Sequence, residues 1–416
     1  MSQKISDGSS TSTLTEDLIS KARKERRKLK ILLHPTFLDD EKLTESEKMQ
    51  AIQKVFDRNI RTMQIDALAG HLACVLDGIQ PPNLLVYGPS GAGKSVTCLH
   101  VLESLKRLCH NEGTPFHYCY IDLTTPKTCF GALNEIAISL NDAVKRYKKG
   151  MAKDQMRESI VNSLNRLNGF VCLLLDEADN VTTDPDGFLV FLAKTLPRQV
   201  QARLSYVFVT NRIEWERTLD PRIFSVLKKQ DIIFQPYDAE DIVQILDLRV
   251  QRALDKDKVF ESAIRKIAAY ASRETGDARK AVELLTRSVK IAESTTGVLT
   301  DVEVDSAHSA LEIDKTEELV ASLAYQQKLA LLSCCIGLKK VRGRLSTGDA
   351  YQVYIELCHR QGTRSLTQRR FSDMVSFLDV YGLVNAKVYS RGRYGKHREL
   401  SSALPEDVIE RLLKGV

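Results

Sequence analysis

The sequence lacks the features of a membrane protein or a secreted protein. It has no run of about 18 apolar residues, which a membrane-spanning helix would need. Its first segment, 1–10, has no apolar core of the kind found in secretory signals. The 9 cysteines are scattered without a Cys-x-x-Cys pair, and their odd number argues against a complete set of disulfides. We therefore expect a cytoplasmic protein with reduced thiols and no membrane partner.

Acidic residues are scarce in one part of the chain. Between His359 and Arg398 there are 9 Lys and Arg residues, 2 Asp residues and no Glu. This segment therefore carries a net charge of +7, whereas the whole chain of 416 residues carries only +6. A localised basic face is expected of a protein that binds nucleic acid. The length and the contents of 43% hydrophobic and 27% charged residues are typical of a soluble globular protein with two or three domains.

The most informative motif is a glycine-rich loop, 88–95, that reads G-x-x-x-x-G-K-S. It follows an apolar run, 84–87, and precedes a helical pattern that begins at Val96, which is the context that a phosphate-binding loop requires. In such a loop Lys94 reaches the β- and γ-phosphates and Ser95 binds Mg²⁺. We therefore expect ATP or ADP and Mg²⁺ as cofactors, with an ordinary glycine-rich turn as the alternative. The predicted nucleotide-binding residues are Gly88, Pro89, Ser90, Gly91, Ala92, Gly93, Lys94, Ser95 and Val96.

Two further strand ends supply candidate catalytic residues. The apolar run 170–175 ends in Asp176 and Glu177. Asp176 is predicted to support Mg²⁺, and Glu177 is predicted to orient and deprotonate the attacking water. The run 204–209 leads to Asn211, and ligands in parallel sheets bind at the carboxyl ends of strands, so Asn211 is predicted to hold the water and the γ-phosphate. Polar turns that merely end the strands are the alternative in both cases.

Apolar runs separated by helical stretches predict the architecture of this part of the chain. Continuous apolar strands are typical of a parallel sheet that helices cover on both faces. The five predicted strands are 84–87, 116–121, 170–175, 204–209 and 231–234. From about residue 238 onward the pattern is helical. The predicted helices there are 238–254, 259–272, 277–294 and 301–311.

Together these residues resemble the AAA+ ATPases, in which a phosphate loop, an acidic strand end, a strand-end Asn and a Gly-Asp-Ala-Arg helix occur in the same order. The resemblance implies an α/β fold with a Rossmann-like P-loop base and a helical lid. It implies that Asn211 is the first sensor and that Arg279, in the first turn of a lid helix, is the second. Many members of the family have Ser-Arg-Phe where this chain has Ser-Val-Leu at 225–227, so Arg222 is the remaining candidate for an arginine finger that acts between subunits.

The basic segment near the C-terminus has the pattern of a winged helix. Residues 346–349 predict a helix cap, 361–363 a turn, and a second helix runs from about Ser365 to Gly382. Two strands around a basic turn, 390–396, complete the motif. The second helix would enter the major groove, and the wing would contact the backbone or the minor groove. The alternatives are a solvated loop and a protein–protein module. The predicted DNA-binding residues are Thr367, Gln368, Arg369, Arg370, Arg391, Gly392, Arg393, Lys396 and Arg398.

This region is similar to that of the archaeal replication initiators, which are relatives of the eukaryotic origin recognition complex and the cell-division-control helicase loader. The similarity is carried by Leu-Thr-Gln-Arg-Arg at 366–370 and by Ser-Arg-Gly-Arg-Tyr-Gly-Lys at 390–396. It implies an initiator-specific helical insertion at 125–160, with a second DNA contact there, and a solvated helix end is the alternative for its basic residues. In place of the usual approach to the base with its His-Arg-Glu motif, the chain has Phe-Asp-Arg-Asn-Ile-Arg at 56–61. The basic residues of the insertion are Lys145, Arg146, Lys148, Lys149 and Lys153.

These patterns predict four parts in the chain. They are a disordered tail and basic approach arm at 1–55, an AAA+ ATP-binding base at 56–235, a helical lid at 236–313 and a winged-helix DNA-binding domain at 314–416. The resemblance implies a nucleoid-associated, ATP-dependent replication initiator that binds double-stranded origin DNA. Its implied partners are the replicative helicase and, on DNA, a second copy or a paralogue. Two alternatives stay open: a nucleotide-locked transcription regulator with little hydrolysis, and a clamp loader or branch-migration motor that needs an assembled ring.

Overall fold

The computed structural model describes residues 30–33, 54–140, 153–222, 229–341, 345–390, 396–404, 408–409 and 411. The chain divides into two compact units, Met1–Val304 and Asp305–Val416, and each is described by itself. Among the helices described, none is both long enough and apolar enough to span a bilayer.

A parallel sheet of five strands forms the centre of the first unit, in the order β2-β3-β4-β1-β5. The strands are β1 Asn83–Tyr87, β2 Phe116–Asp122, β3 Phe170–Asp176, β4 Arg203–Thr210 and β5 Lys229–Ile233. The predicted fold class and all five predicted strands are confirmed. Since β1 lies between β4 and β5, its carboxyl end, where the phosphate loop begins, lies beside the carboxyl end of β4.

Helices cover both faces of this sheet. They are α1 Thr62–Leu72, α2 Lys94–Glu112, α3 Cys129–Leu140, α4 Lys153–Leu164, α5 Pro185–Val190 and α6 Leu196–Gln199. Successive strand residues point to opposite faces, so Leu84 and Val86 join the core under α1 and α2, whereas Leu85 joins the core under α3 and α4. Every residue of β3 is buried, as expected for a central parallel strand.

The lid follows as a set of helices, α7 Ala239–Ala253, α8 Glu261–Glu274 and α9 Ala278–Ser294. A fourth helix, α10 Asp301–Ser322, is longer than the predicted helix 301–311 because no Gly or Pro interrupts it. It runs across the predicted boundary between lid and winged helix, whose position stays a prediction. The short segment 30–33 of the predicted approach arm docks on the lid: the amides of Ile31 and Leu32 both donate to Glu293 Oε1, at 2.8 and 2.7 Å.

The second unit has the predicted helix–turn–helix and hairpin. Its further elements are α11 Tyr325–Val341, β6 Leu345–Ser346, α12 Thr347–Arg360, α13 Gln368–Val380, β7 Val384–Ser390 and β8 Lys396–Ser402. The three strands form an antiparallel sheet in the order β6-β8-β7. Ser346 caps α12 by accepting from the Asp349 amide at 3.1 Å, and Gly382 adopts a positive φ of 68° where α13 ends. Both predicted helix signals are therefore confirmed.

Several predicted features lie outside the described residues. They are the tail and most of the approach arm (1–29 and 34–53), the basic residues Lys145, Arg146, Lys148 and Lys149 of the insertion, the Ser-Val-Leu segment 225–227, and the wing residues Arg391, Gly392 and Arg393.

Candidate nucleotide and nucleic-acid sites

The phosphate loop starts at the carboxyl end of β1 and ends at the first turn of α2. Gly91 and Gly93 have φ angles of 69° and 82°, in the left-handed region that favours glycine. The backbone therefore turns as a phosphate-binding loop requires. Because α2 begins at Lys94, its amino end faces the loop and favours an anion there.

The Lys94 ammonium lies inside this loop and is almost completely buried. It donates to the Gly88 carbonyl oxygen at 2.9 Å, to the Pro89 carbonyl oxygen at 2.8 Å and to Asn211 Oδ1 at 2.6 Å. Burial lowers the pKa of Lys94, and the nearby carboxylates of Glu177 and Asp176 oppose that shift. The structure thus brings together the predicted loop lysine and the predicted sensor Asn.

The amide of Asn211 joins Lys94 to the predicted catalytic carboxylate. Asn211 Nδ2 donates to both carboxylate oxygens of Glu177, each at 2.6 Å. Burial raises the pKa of Glu177, and the hydrogen bond from Asn211 opposes the rise. Glu177 also has a left-handed backbone with φ 53°, which is strained for a residue other than glycine. Such strain at a site residue is maintained by the packing around it and fixes where the carboxylate points.

Asp176 is the last residue of β3 and is buried beside Glu177. Its Oδ1 accepts from the Glu177 amide at 3.1 Å, and its Oδ2 accepts from the Tyr120 hydroxyl at 3.0 Å. Burial and the Asp176 carboxylate both raise the pKa of Tyr120, so the phenol stays protonated and remains a donor. The Asp176 carboxylate is therefore held in one orientation.

The first turn of α9, in the lid, lies against the phosphate loop. Asp277 caps this helix by accepting from the Arg279 amide at 2.8 Å, and its carboxylate lies directly against Gly91. A Cβ on Gly91 would be only 1.7 Å from Asp277 Oδ1. The Arg279 guanidinium lies close enough to Lys94 to contribute to the lowering of its pKa. Arg279 is therefore placed on the side of the lid that faces the phosphate loop.

Arg222, the candidate arginine finger, has a different setting. Its side chain is 91% exposed and pairs with Asp220 on the same turn, with Nε 3.5 Å from Oδ1. Its action on a neighbouring subunit stays a prediction.

Sequence reasoning missed a buried carboxylate close to Glu177, the predicted catalytic residue. Asp179 is 4% exposed; it accepts from the Thr210 hydroxyl at 2.8 Å and pairs with Arg212 Nε at 3.2 Å. It thereby ties the turn after Glu177 to the residues on either side of Asn211. An available signal was the second Asp of the Leu-Asp-Glu-Ala-Asp run at 175–179, because a buried polar residue needs a partner.

The first turn of α13 is exposed, as a recognition helix requires. Thr367 caps the helix, and Gln368, Arg369 and Arg370 are all exposed. The apolar side of the same helix is buried in the unit's core, where Phe371 is fully covered. The structure therefore presents this turn to solvent on a rigid support.

Arg398 differs from the other predicted DNA contacts. Its Nη1 donates to Ser376 Oγ at 2.8 Å, and its Nη2 lies 3.7 Å from Asp379 Oδ2. The side chain is only 21% exposed, so it links β8 to α13 within the unit.

Lys396 lies at the start of β8. In the insertion, Lys153 is engaged by Asp184, with Nζ 3.0 Å from Oδ2.

Three protein-family profiles match successive parts of the chain. An "AAA domain" matches residues 79–219, a "Cdc6 AAA+ ATPase-type lid domain" matches residues 243–309, and a "CDC6, C terminal winged helix domain" matches residues 318–411.

Whole-length relatives agree with these profiles. The chain is 34% identical over 356 residues to an "ORC1-type DNA replication protein 1" of Sulfolobus acidocaldarius, covering 85% of this chain and 88% of the relative. It is 35% identical over 360 residues to an "ORC1-type DNA replication protein" of Pyrococcus furiosus, covering 85% of each. Among solved structures, that of the Aeropyrum pernix ORC1 protein in complex with DNA has a TM-score of 0.66 and 30% identity, covering 92% of this chain and 97% of the other.

Proposed function

Since the chain belongs to the family of ORC1-type DNA replication proteins, we propose that it is an ATP-dependent replication initiator that binds double-stranded origin DNA and helps to recruit the replicative helicase. The observation that supports this function is the presence, in one chain, of a hydrogen-bonded cluster of Lys94, Asn211 and Glu177 at the glycine-rich loop and of exposed basic residues in the first turn of α13. In this proposal the nucleotide state controls how the protein holds DNA.

The nucleotide site has the groups that ATP hydrolysis needs. Lys94 supplies a buried positive charge for the β- and γ-phosphates, and Arg279 supplies a second one from the lid. Glu177, oriented by Asn211, accepts a proton from the attacking water. We expect hydrolysis to be slow and to act as a timer.

Ser95 and Asp176 are the residues that would hold Mg²⁺. A hydroxyl and a carboxylate oxygen form the hard-oxygen donor set that Mg²⁺ prefers, and Asp176 is already oriented by Tyr120. When bound, the ion neutralises negative charge on the phosphate oxygens.

The first turn of α13 is the surface that we propose for DNA. The Aeropyrum pernix relative of similar fold was solved in complex with DNA, which supports DNA binding by this chain. Arg369 and Arg370 are exposed in the first turn of the helix, and each guanidinium is planar and can donate two parallel hydrogen bonds. They are therefore suited to contacts in the major groove.

The enzymatic part is tested by multiple-turnover phosphate release in the presence of duplex DNA. Glu177→Gln should abolish release while leaving ATP binding intact, because the amide cannot accept the proton. Lys94→Ala should lose nucleotide binding itself. Equal turnover by wild type and Glu177→Gln would contradict the assignment of Glu177, and normal ATP binding by Lys94→Ala would contradict the site.

The biological part is tested by mapping the chromosomal sites that the protein occupies in cells. Peaks confined to replication start zones, and lost in the Lys94→Ala strain, are expected. Peaks spread over promoters would instead favour a transcription regulator.

A further inference from the structure

Arg61 has a strained backbone near the start of the predicted ATPase base. It is the residue that precedes α1, and its φ of 65° and ψ of 23° lie in the left-handed region, which a residue with a Cβ seldom adopts. The sequence resemblance gave Arg61 no role. A strained conformation is retained only where the surrounding contacts require it. The contacts of the Arg61 side chain therefore indicate the role of this conformation.

The Arg61 guanidinium joins two segments that are distant in the sequence. Its Nε donates to the carbonyl oxygen of Ala92 in the phosphate loop at 3.1 Å. Its Nη2 donates to the carbonyl oxygen of Gln235 at 2.6 Å, in the segment that leads from β5 to the lid. The same group lies over the ring of Tyr237 at 3.9 Å from the ring centre, a cation–π contact. One planar cation thus holds the loop and the lid hinge together.

Tyr237 is the other half of this contact. It is almost completely buried, and its hydroxyl lies so close to Gly93 that a Cβ there would be 2.2 Å away. Its backbone amide donates to the Gly276 carbonyl oxygen at 3.1 Å, just before the lid helix α9 that carries Arg279. Tyr237 therefore contacts the phosphate loop through its hydroxyl and the segment before α9 through its backbone amide.

We propose that Arg61 and Tyr237 form a clamp, named here the hinge clamp, that couples nucleotide occupancy of the phosphate loop to the position of the lid helix α9. Both are positioning residues. The hinge clamp rests on the nucleotide binding proposed above. Nucleotide holds the loop in place, and the hinge clamp holds the lid to the loop, so nucleotide binding and lid docking stabilise each other. Removal of the hinge clamp should therefore speed the release of nucleotide and weaken the effect of nucleotide on the lid.

Arg58 provides a matched control in the same segment. Its Nη1 donates to the Gln244 carbonyl oxygen at 3.1 Å and lies 3.9 Å from Asp247 Oδ2, so it also ties this segment to the lid, on helix α7. The contacts described for Arg58 do not include the phosphate loop. Loss of Arg58 therefore removes a comparable lid contact without opening the hinge clamp.

The test combines nucleotide kinetics with hydrogen exchange, in the full-length protein. Release of a fluorescent ADP is followed by stopped flow for wild type, Arg61→Ala, Arg61→Lys, Tyr237→Phe and Arg58→Ala. Backbone hydrogen exchange is measured with and without ADP over the loop, 88–95, and over the start of the lid helix, 276–280.

We expect Arg61→Ala to release ADP about tenfold faster than wild type, in the usual range of coupling between sites. In Arg61→Ala, ADP should still protect 88–95 but should no longer protect 276–280. Arg61→Lys should be intermediate, because one ammonium cannot donate to both carbonyl groups while lying over the ring. Tyr237→Phe should show a smaller change, and Arg58→Ala should resemble wild type.

The outcomes separate the hinge clamp from the nucleotide site. If Arg61→Ala matches wild type in release rate and in protection of 276–280, the hinge clamp is refuted. It is also refuted if Arg58→Ala shows the same losses as Arg61→Ala, since the effect would then belong to the whole segment. If Arg61→Ala does not fold, the same comparison is decided by Arg61→Lys. Failure of wild-type protein to bind ADP would refute the proposed function, and the hinge clamp with it.

Discussion

The exposed arginines of α13 and the engaged arginine of β8 should affect DNA binding in different ways. Arg369 and Arg370 are exposed in the first turn of the helix, whereas Arg398 is held by Ser376 and Asp379 inside the unit. Each arginine that neutralises a phosphate contributes about 0.9 to the slope of log affinity against log salt concentration. Replacing both exposed arginines by Ala should therefore flatten the slope by about 1.8. The affinity lost by this double variant should be about twelvefold larger at 50 mM than at 200 mM salt.

Arg398→Ala should behave as a stability variant. It removes a hydrogen bond and a partly exposed ion pair, so we expect the free energy of unfolding to fall by about 1–2 kcal/mol. The salt slope should stay within about 0.3 of the wild-type value, because the side chain does not face solvent as the helix arginines do.

The assay is fluorescence anisotropy with one labelled duplex at several salt concentrations, together with thermal unfolding of each variant. Wild type, the double variant Arg369→Ala/Arg370→Ala, and Arg398→Ala are compared under identical nucleotide conditions. An unchanged slope in the double variant would refute the recognition-turn assignment. A slope in Arg398→Ala as flat as that of the double variant would show instead that Arg398 leaves its internal partners and reaches DNA.

Two further predictions concern the nucleotide site. Asn211→Ala removes the hydrogen bond that opposes the raised pKa of Glu177, so this pKa should rise further. The acid limb of the ATPase pH profile should therefore move to higher pH. An unmoved limb would contradict the assignment of Glu177 as the base. Gly91→Ala would place a Cβ against the Asp277 carboxylate and should lower the free energy of unfolding, measured by urea titration, by about 2–3 kcal/mol. Gly113 is the control, because it has a similar φ of 75° and open space around it. Gly113→Ala should lower the free energy of unfolding by only about 1 kcal/mol.

The sheet was predictable because buried parallel strands appear in the sequence as continuous apolar runs. β3 is the clearest case, since all of its residues are buried and it ends at Asp176, with Glu177 directly after it. The order of the strands was not predictable in the same way. Insertion of β1 between β4 and β5 depends on how the crossover helices pack, and the apolar runs carry no signal for it.

The prediction that Arg398 contacts DNA rests on a count of charges, and such a count does not show which partners a side chain has within the fold. Side chains alternate between the faces of a strand, so Arg398 and Leu400 of β8 lie on the same face. Leu400 is fully buried in the core of the unit, and Arg398 accordingly packs toward α13. Period-two alternation, applied to the predicted return strand, therefore indicates contacts inside the unit for this arginine.

The contacts between the lid and the phosphate loop could not be predicted from the sequence, for a different physical reason. Asp277 and Tyr237 are distant in sequence from the phosphate loop, and each is an ordinary residue in its own segment; only the folded hinge brings them to Gly91 and Gly93. These two glycines satisfy two requirements at once, because their positive φ shapes the loop for phosphate and their missing side chains make room for the lid. The sequence motif shows that a glycine is present at each position, but it does not show which of the two requirements that glycine satisfies. Both requirements act on the same stretch of backbone, so we expect a nucleotide that orders the loop to change how firmly the lid is held.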